Sequence, residues 1–363
     1  MLSILVPAMS AERSVVAISK RPDRTASVYP IASPLRARNL DFIKKQTWTM
    51  CGGSGTYQPM KLGIHLPQMS GGAPAQMGGA SAEEIARVAI RAEQTGYHSL
   101  WVSDHLLVPE TGGTLPAIEI MDPIPTLAYA AALTRTIRLA TSVLVVPYRN
   151  PIHLAKELAT LDRLCNGRLV VGAASGWLEA EFHALGVSYE KRGLITDEAI
   201  RLWRELWSNP TPNFRGEFTN LSGMHFGPRP AAGKIPIIIG GLSKRACRRA
   251  VELGDGWHGS RMKPEEVATR IGWIKEIAAR QGRSLDGFSF SHRVYMGFAE
   301  RWTETGGYVQ GIMAPPRELA DYLNKYEALG IEEILVTPIG LDRGLEKFLD
   351  RFDAEVKRHV NIR

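Results

Sequence analysis

The chain has 363 residues, of which 44% are hydrophobic and 22% charged, with 35 glycines, 22 prolines and three cysteines. This composition excludes a disordered, collagen-like or disulfide-scaffold protein, because it supplies enough apolar material for a buried core. The net charge of +7 is concentrated in residues 1–59, which carry eight basic and three acidic side chains. The remaining chain is close to neutral, so we expect no nucleic-acid partner.

Cys51, Cys165 and Cys247 stand alone in the sequence, without the paired spacing of a zinc site or a redox dithiol. The nine histidines are scattered as well, and we expect no metal site. No apolar run reaches the length of about 18 residues that a membrane span needs, and the first residues lack the basic start of a signal peptide. The sequence therefore predicts a cytoplasmic protein with free thiols and no membrane partner.

Residues 1–59 show no sustained periodicity and are rich in Ser, Arg, Pro and Ala. We expect them to be disordered and dispensable for folding. They are either a transit-like extension or upstream sequence translated from a start assigned too early. Met60 is followed at once by a strand-like segment, which favours the second interpretation. We expect residues 60–363 to form one domain.

From residue 61 onward, short apolar runs alternate with segments of helical periodicity. Ser81 with Glu84 is typical of a capped helix start, and Pro264 of a first helical residue. The segment at 213–230, NFRGEFTNLSGMHFGPRP, indicates a β-hairpin between the fourth and fifth strands. The predicted strands lie at 61–66, 98–104, 137–146, 168–174, 235–241, 255–260, 288–298 and 332–339.

Eight strands that alternate with helices, several of them apolar throughout, indicate parallel pairing with both faces of the sheet buried. The predicted fold class is therefore α/β, a (β/α)8 TIM barrel with a β-hairpin insertion between strands four and five. An open doubly wound sheet is the alternative, but the sequence has neither a dinucleotide glycine fingerprint nor a Walker loop. Since a barrel carries its chemistry at the C-terminal ends of the strands, we looked for site residues there.

The second predicted strand ends in Ser103, Asp104 and His105, where the chain leaves the barrel. These polar residues indicate a site, although turn capping by Ser103 and Asp104 explains the same pattern. The fourth strand is followed by Gly176 and Trp177, a small residue beside an aromatic that could also belong to the core. Glu179, Glu181 and His183 after Trp177 are expected to be solvated helix positions. Three histidines near other strand ends are expected to be packed or solvated: His65, His258 and His292. Of these, His65 could also line the pocket.

The fifth predicted strand ends in Gly240 and Gly241 and continues through Leu242 and Ser243 into a helix. Two glycines let the backbone approach a ligand, and the N–H groups of a helix N-terminus attract an anion, so this pattern is typical of a phosphate site. A tight turn with Ser243 as the N-cap is the alternative.

From Met60 onward the chain resembles the luciferase-like class of flavin-dependent oxidoreductases. The resemblance rests on KLGIHLPQ, LWVSDH, IRLATSVLVVPYRNP, LATLDRLCNGRLVVGAASGWLEAEFHALG and IPIIIGGLSKRACRRAVELGDGW, which occur in the family's order. SDH after strand two and TSVL on strand three are most similar to the branch that uses the deazaflavin coenzyme F420. That branch implies hydride transfer to or from the cofactor.

The resemblance implies roles for individual residues. Asp104 and His105 would be catalytic, with Asp104 hydrogen-bonded to the cofactor ring and His105 acting as a proton donor or acceptor. The Ser142–Val143 peptide bond would be cis. At the position of Trp177, sugar-phosphate dehydrogenases of this branch carry a glutamate, so an apolar or planar substrate is expected instead. The implied cofactor-binding residues are Asp104, Thr141, Ser142, Val143, Gly176, Trp177, Gly240, Gly241, Leu242 and Ser243.

The expected function is coenzyme F420-dependent hydride transfer to or from a small organic substrate by a homodimeric enzyme. An FMN-dependent monooxygenase that uses O2 is the alternative within the family. A non-catalytic flavin-binding barrel is a third hypothesis, against which His105 beside Asp104 argues. The acidic tail of F420 would be attracted by basic residues that follow strand five, some of which are expected to be only solvated: Lys244, Arg245, Arg248 and Arg249.

Overall fold

The computed structural model describes the chain in five segments: residues 60–71, 81–108, 118–306, 310–341 and 344–361. The expectation that residues 1–59 are disordered concerns residues outside these segments. Within them, no helix is long and apolar enough to cross a membrane.

Eight parallel strands form a closed barrel, which confirms the predicted fold. The strands are β1 (Lys61–His65), β2 (Ser99–Val102), β3 (Arg138–Thr141), β4 (Leu169–Ala174), β5 (Ile237–Gly240), β6 (Gly256–Ser260), β7 (Ser289–Phe298) and β8 (Glu333–Pro338). Each strand pairs with the next in chain order, and β8 pairs with β1, which closes the sheet. In a closed parallel barrel, all eight C-terminal strand ends face one mouth.

Nine α-helices follow or flank the strands in the described segments. They are α1 (Ala82–Gln94), α2 (Pro123–Leu133), α3 (Pro151–Leu164), α4 (Glu179–Ala184), α5 (Arg192–Ser208), α6 (Lys244–Leu253), α7 (Pro264–Arg280), α8 (Pro316–Ala328) and α9 (Leu345–Arg351). Their starts follow local chemistry: Ser81 Oγ accepts a hydrogen bond from the Glu84 amide at 3.1 Å, and Pro264 occupies the first position of α7. The predicted helix starts at these residues are confirmed.

The apolar residues of each strand are buried on both faces of the barrel wall. Trp101, Ala140 and Val170 are register partners on neighbouring strands and belong to one cluster on the same face. Leu100 and Val102, which flank Trp101 in β2, belong to the larger cluster that also contains residues of the helices. This alternation follows from the two-residue period of a strand and explains why the sequence reads as continuous apolar runs.

Several short strands lie in the loops between the barrel strands and helices. Leu144–Val145 pairs with β4. The peptide bond between Ser142 and Val143, just before this short strand, is cis, as expected. Phe214–Arg215 and Asn220–Leu221 form an antiparallel hairpin between β4 and β5. The remaining short strands are Met69–Gly71 paired with Ile118–Ile120, and Thr303–Glu304 paired with Ile312–Ala314, which also pairs with β7.

Candidate active site

A cavity of about 430 Å³ lies at the C-terminal ends of the strands. Its volume is within the range of ligand pockets. Ten of the predicted site residues line it: Asp104, His105, Ser142, Val143, Gly176, Trp177, Gly240, Gly241, Leu242 and Ser243. Thr141 is not among the lining residues: its side chain is fully buried in the barrel wall and its hydroxyl donates to the Gly172 carbonyl at 2.8 Å. The hydroxyl therefore joins β3 to β4, and a contact of Thr141 with a cofactor stays a prediction.

His105 lies at the cavity wall, directly after β2. Its Nδ1 is 2.8 Å from Glu181 Oε2, and its ring meets the edge of the Trp177 ring at a centroid distance of 6.0 Å and an angle of 83°. Trp177 is 40% exposed, so it is not a core residue. The carboxylate and the aromatic ring together fix the orientation of the imidazole.

The expectation that Glu181 is solvated is wrong, because only 1% of the residue is exposed. Glu179 and His183, which flank it in α4, are exposed and lie within 3.7 Å of each other as an i, i+4 pair. A signal was present in the sequence: Glu181 is three residues after Leu178 and four before Leu185, which is the spacing of the apolar face of a helix.

Asp104 lines the cavity, and its carboxylate is also engaged inside the protein. Its side chain is fully buried, and its carboxylate accepts hydrogen bonds from Arg149 at 2.8 and 3.0 Å and from the Val145 amide at 2.9 Å. Asp104 therefore joins the loops at the mouth. Its hydrogen bond to a cofactor ring stays a prediction.

A buried polar network forms the floor of the cavity, and the sequence did not reveal it. Ser103 Oγ is 2.9 Å from His65 Nε2 and accepts a hydrogen bond from Arg293 Nη1 at 2.8 Å. Ser142 Oγ is 2.9 Å from His258 Nε2. Burial, together with the nearby Arg293 charge, lowers the pKa of His65 and His258 well below the ordinary histidine value. Both imidazoles are therefore neutral, and Arg293 supplies the positive charge of the floor.

His65 itself is not among the residues that line the cavity, whereas His258 lines it. The ring of His258 stacks on Trp101 with a centroid distance of 4.9 Å. No group of three histidine, cysteine or carboxylate side chains in the described segments could hold a metal ion.

The turn after β5 is the predicted phosphate site. Gly241 has φ +137°, and a Cβ built there would lie 2.7 Å from the Ala246 Cβ, so no larger side chain fits without movement. Ser243 caps α6, accepting a hydrogen bond from the Ala246 amide at 3.2 Å. Its own hydroxyl proton remains available to an anion, as do the first N–H groups of the helix. The two interpretations of this turn, a phosphate site and a tight turn capped by Ser243, are therefore compatible with each other. Ser243 is the N-cap and still has a hydroxyl proton to donate.

Of the four basic residues expected near this turn, Arg245 and Arg249 line the cavity. Arg249 is buried and forms an ion pair with Asp197, whereas Arg245 is exposed. Lys244 and Arg248 do not line the cavity, and Lys244 Nζ lies 6.0 Å from the centre of the Trp273 ring. The mouth is nevertheless basic on this side, because Arg192 from the start of α5 joins them.

Comparison with known proteins identifies a family and relatives whose names state two different cofactors. The model of the luciferase-like monooxygenase family matches residues 60–304. The chain is 32% identical over 180 residues to the F420-dependent glucose-6-phosphate dehydrogenase of Amycolatopsis mediterranei, covering 48% of this chain and 52% of the relative. It is 31% identical over 157 residues to the FMNH(2)-dependent dimethylsulfone monooxygenase of Pseudomonas fluorescens, covering 42% and 43%.

The fold is also that of solved structures. An F420-dependent secondary alcohol dehydrogenase, solved in complex with an F420-acetone adduct, superposes with a TM-score of 0.68 at 17% sequence identity. The superposition covers 82% of this chain and 98% of that chain. At this identity the match supports the barrel fold and no finer conclusion.

Proposed function

Because this chain belongs to the luciferase-like monooxygenase family, we propose that it is an oxidoreductase that uses coenzyme F420 to transfer hydride to or from a small organic substrate. The choice of F420 rests on one observation: the turn at Gly241, the predicted phosphate site, lies beside the basic residues of the mouth. F420 has a phosphate followed by an acidic oligoglutamate tail, whereas FMN ends at its phosphate. Arg192 and Arg245 add positive charge beyond the turn, where only the longer cofactor extends.

The residues of the cavity fit a cofactor of this kind. The turn at Gly241–Ser243 would hold the phosphate through backbone N–H groups, and Ser142 and Val143 would form the wall behind the ring. The bound deazaflavin supplies a carbon that accepts or donates hydride. His105 would hold or release the proton at its Nε2, since that atom lies on the ring edge opposite the nitrogen engaged by Glu181.

The substrate side of the cavity favours an apolar or planar molecule. Trp177 presents an exposed aromatic ring beside His105, and Leu242 at the rim is 41% exposed. A sugar phosphate would have to lie against this surface, where Leu242 offers it no hydrogen bond and the Trp177 indole offers one donor, its Nε1–H. We therefore infer that the substrate binds in the cavity beside Trp177 and His105.

An FMN-dependent monooxygenase is the second candidate, since one relative is named as FMNH(2)-dependent. Fluorescence titration of the purified full chain with F420 and with FMN, in separate experiments, distinguishes the two. We expect F420 to bind more tightly than FMN at every salt concentration. Micromolar FMN affinity without measurable F420 binding would refute the proposal and favour the oxygen-using enzyme.

A further inference from the structure

The Glu181 carboxylate binds four hydrogen-bond donors, two at each oxygen. Oε1 accepts from the backbone amides of Leu106 and Leu107 at 2.7 and 3.0 Å. Oε2 accepts from the Tyr148 hydroxyl at 2.6 Å and lies 2.8 Å from His105 Nδ1. An ionised carboxylate offers about four lone-pair positions and no proton, so all of its acceptor positions are used.

This arrangement requires Glu181 to be ionised. Burial by itself raises the pKa of the carboxyl group, but the hydrogen bonds from His105, the Leu107 amide and Tyr148 outweigh burial and lower it. The Tyr148 hydroxyl is a donor in this contact, because burial and the adjacent carboxylate raise its pKa above the ordinary value. A carboxylate that only accepts hydrogen bonds leaves Nδ1 of His105 as the donor.

We propose that Glu181 is the positioning residue of this site: its carboxylate fixes the neutral form of His105 as the Nδ1–H tautomer and leaves Nε2 as the proton acceptor toward the cavity. Nε2 has no hydrogen-bond partner in the segments of the chain that the structure describes. Tyr148 donates to the same oxygen, Oε2, and so helps to hold the carboxylate in place. The inference rests on the proposed function for its catalytic meaning, although the tautomer itself does not depend on any cofactor.

The tautomer determines what His105 can do. With the proton on Nδ1, the Nε2 lone pair can take the proton of a substrate O–H group while the C–H bond of the same carbon breaks and its electron pair leaves as hydride to the cofactor. The carbon–oxygen double bond forms from the electrons of the O–H bond. In the opposite direction, imidazolium returns the proton from Nε2 while Glu181 compensates the charge of the ring.

Glu181→Gln separates this role from simple anchoring of the loop. The glutamine oxygen can still accept from the amides of Leu106 and Leu107, but its NH₂ group cannot accept from Nδ1. The glutamine NH₂ group would then donate to Nδ1 of His105, so the neutral imidazole would carry its proton on Nε2. Tyr148→Phe is the matched control, because it removes a donor at the same oxygen and leaves the carboxylate in place.

The first experiment is ¹⁵N NMR of histidine-labelled full-length protein without cofactor, with the His105 signals assigned by their absence in His105→Gln. We expect Nδ1–H in the wild type and in Tyr148→Phe, and Nε2–H in Glu181→Gln. An Nε2–H tautomer in the wild type would overturn the proposal, and this measurement does not depend on whether any variant folds. So would an unchanged tautomer in folded Glu181→Gln.

The second experiment measures turnover with F420. We expect Glu181→Gln to lose about 10²–10⁴-fold in kcat with cofactor affinity within twofold, and Tyr148→Phe to lose less than tenfold. A switched tautomer with unchanged kcat overturns the positioning role. If the tautomer switches as expected but the wild type shows no F420-dependent turnover with any substrate, the proposed function fails while the assignment of Glu181 to the His105 tautomer stands.

Discussion

Arg149 donates a hydrogen bond from each of its two terminal nitrogens to the Asp104 carboxylate, at 2.8 Å from Nη1 to Oδ2 and 3.0 Å from Nη2 to Oδ1. Nη2 also donates to Asp122 Oδ2 at 2.7 Å. Asp122 is the N-cap of α2, so one guanidinium joins the end of β2, the loop after β3 and the start of α2. The loop that carries His105 is therefore held from two sides, by Arg149 through Asp104 and by Glu181.

Arg149→Met should lower the free energy of unfolding by about 3–5 kcal/mol, because it leaves a fully buried carboxylate without its partner. The double variant with Asp104→Asn should lose less than the sum of the two single variants, as urea denaturation would measure. Arg317→Met is the control, since its pair with Asp321 is exposed and should change stability by less than about 0.5 kcal/mol. A loss below about 1 kcal/mol in Arg149→Met would contradict the stated role.

Buried neutral histidines should make the protein less stable in mild acid. Burial lowers the pKa of His292 to about 3, against 6.5 for an exposed histidine. Between these values the unfolded chain binds the proton and the folded chain does not, so stability is complete above pH 6.5 and is lost as the pH falls below it. At pH 5 the loss from this residue is about 2 kcal/mol.

Urea denaturation at pH 7.5 and pH 5.0 tests this expectation. His292→Gln should reduce the difference in unfolding free energy between the two pH values by about 2 kcal/mol, whereas exposed His153→Gln should leave it unchanged. Equal pH dependence in His292→Gln and the wild type would show that this imidazole titrates normally in the folded protein.

The phosphate turn should tolerate no side chain at Gly241. Gly241→Ala places a Cβ against Ala246 and is expected to abolish cofactor binding in the fluorescence titration. Gly282→Ala is the control for backbone strain, because Gly282 also has a positive φ, +63°, and no atom within 4 Å of the built Cβ. If Gly241→Ala still binds the cofactor, the phosphate must bind at another loop of the mouth.

Ser243→Ala should have two separable effects. Loss of the N-cap of α6 should cost about 0.5–2 kcal/mol of stability, and loss of the hydroxyl donor should weaken cofactor binding by about 1–2 kcal/mol. Ser243→Asn, which can cap the helix, should recover most of the stability. If both variants bind the cofactor as the wild type does, Ser243 acts only as the cap.

Binding of F420 should weaken as ionic strength rises, because exposed charges are screened over about 10 Å at 0.1 M salt. Arg245→Gln should flatten this dependence, since Arg245 lines the mouth. Arg248 lies on the same helix and is exposed, but it does not line the cavity, so Arg248→Gln should leave the dependence of F420 affinity on salt unchanged. The same salt dependence in both variants would contradict the proposal that the mouth attracts an acidic tail.

His105→Ala should retain cofactor affinity and lose about 10²–10⁴-fold in turnover, the scale of a missing general acid or base. His183→Ala on the exposed side of α4 should keep full turnover. Steady-state kinetics together with the fluorescence titration separate the loss of chemistry from a loss of binding. Turnover within tenfold of the wild type in His105→Ala would assign the proton to another group.

The barrel and most of its mouth could be predicted because their signals are local. Several strands are apolar runs, and His105, Gly241 and Trp177 lie within three residues of a strand end. The partners of these residues could not be predicted in the same way, because Glu181 meets His105 across 76 residues and Arg149 meets Asp104 across 45. Such pairs depend on how two loops fold over the mouth, which periodicity does not encode.

Thr141 illustrates a second limit. The family pattern placed it with Ser142 and Val143 in the wall behind the cofactor. Thr141 is the last residue of β3 and its hydroxyl donates to the Gly172 carbonyl on β4, whereas Ser142 and Val143 follow the strand and both line the cavity. The sequence alone does not show where β3 ends.

Glu181 anchors the loop after His105 through the amides of Leu106 and Leu107, so the anchor is independent of the side chains at these two positions. Both leucines are exposed, by 37% and 53%, at the loop that leaves the site. Amino-acid exchange at positions 106 and 107 therefore leaves the two backbone hydrogen bonds to Glu181, and with them the support of the imidazole, in place.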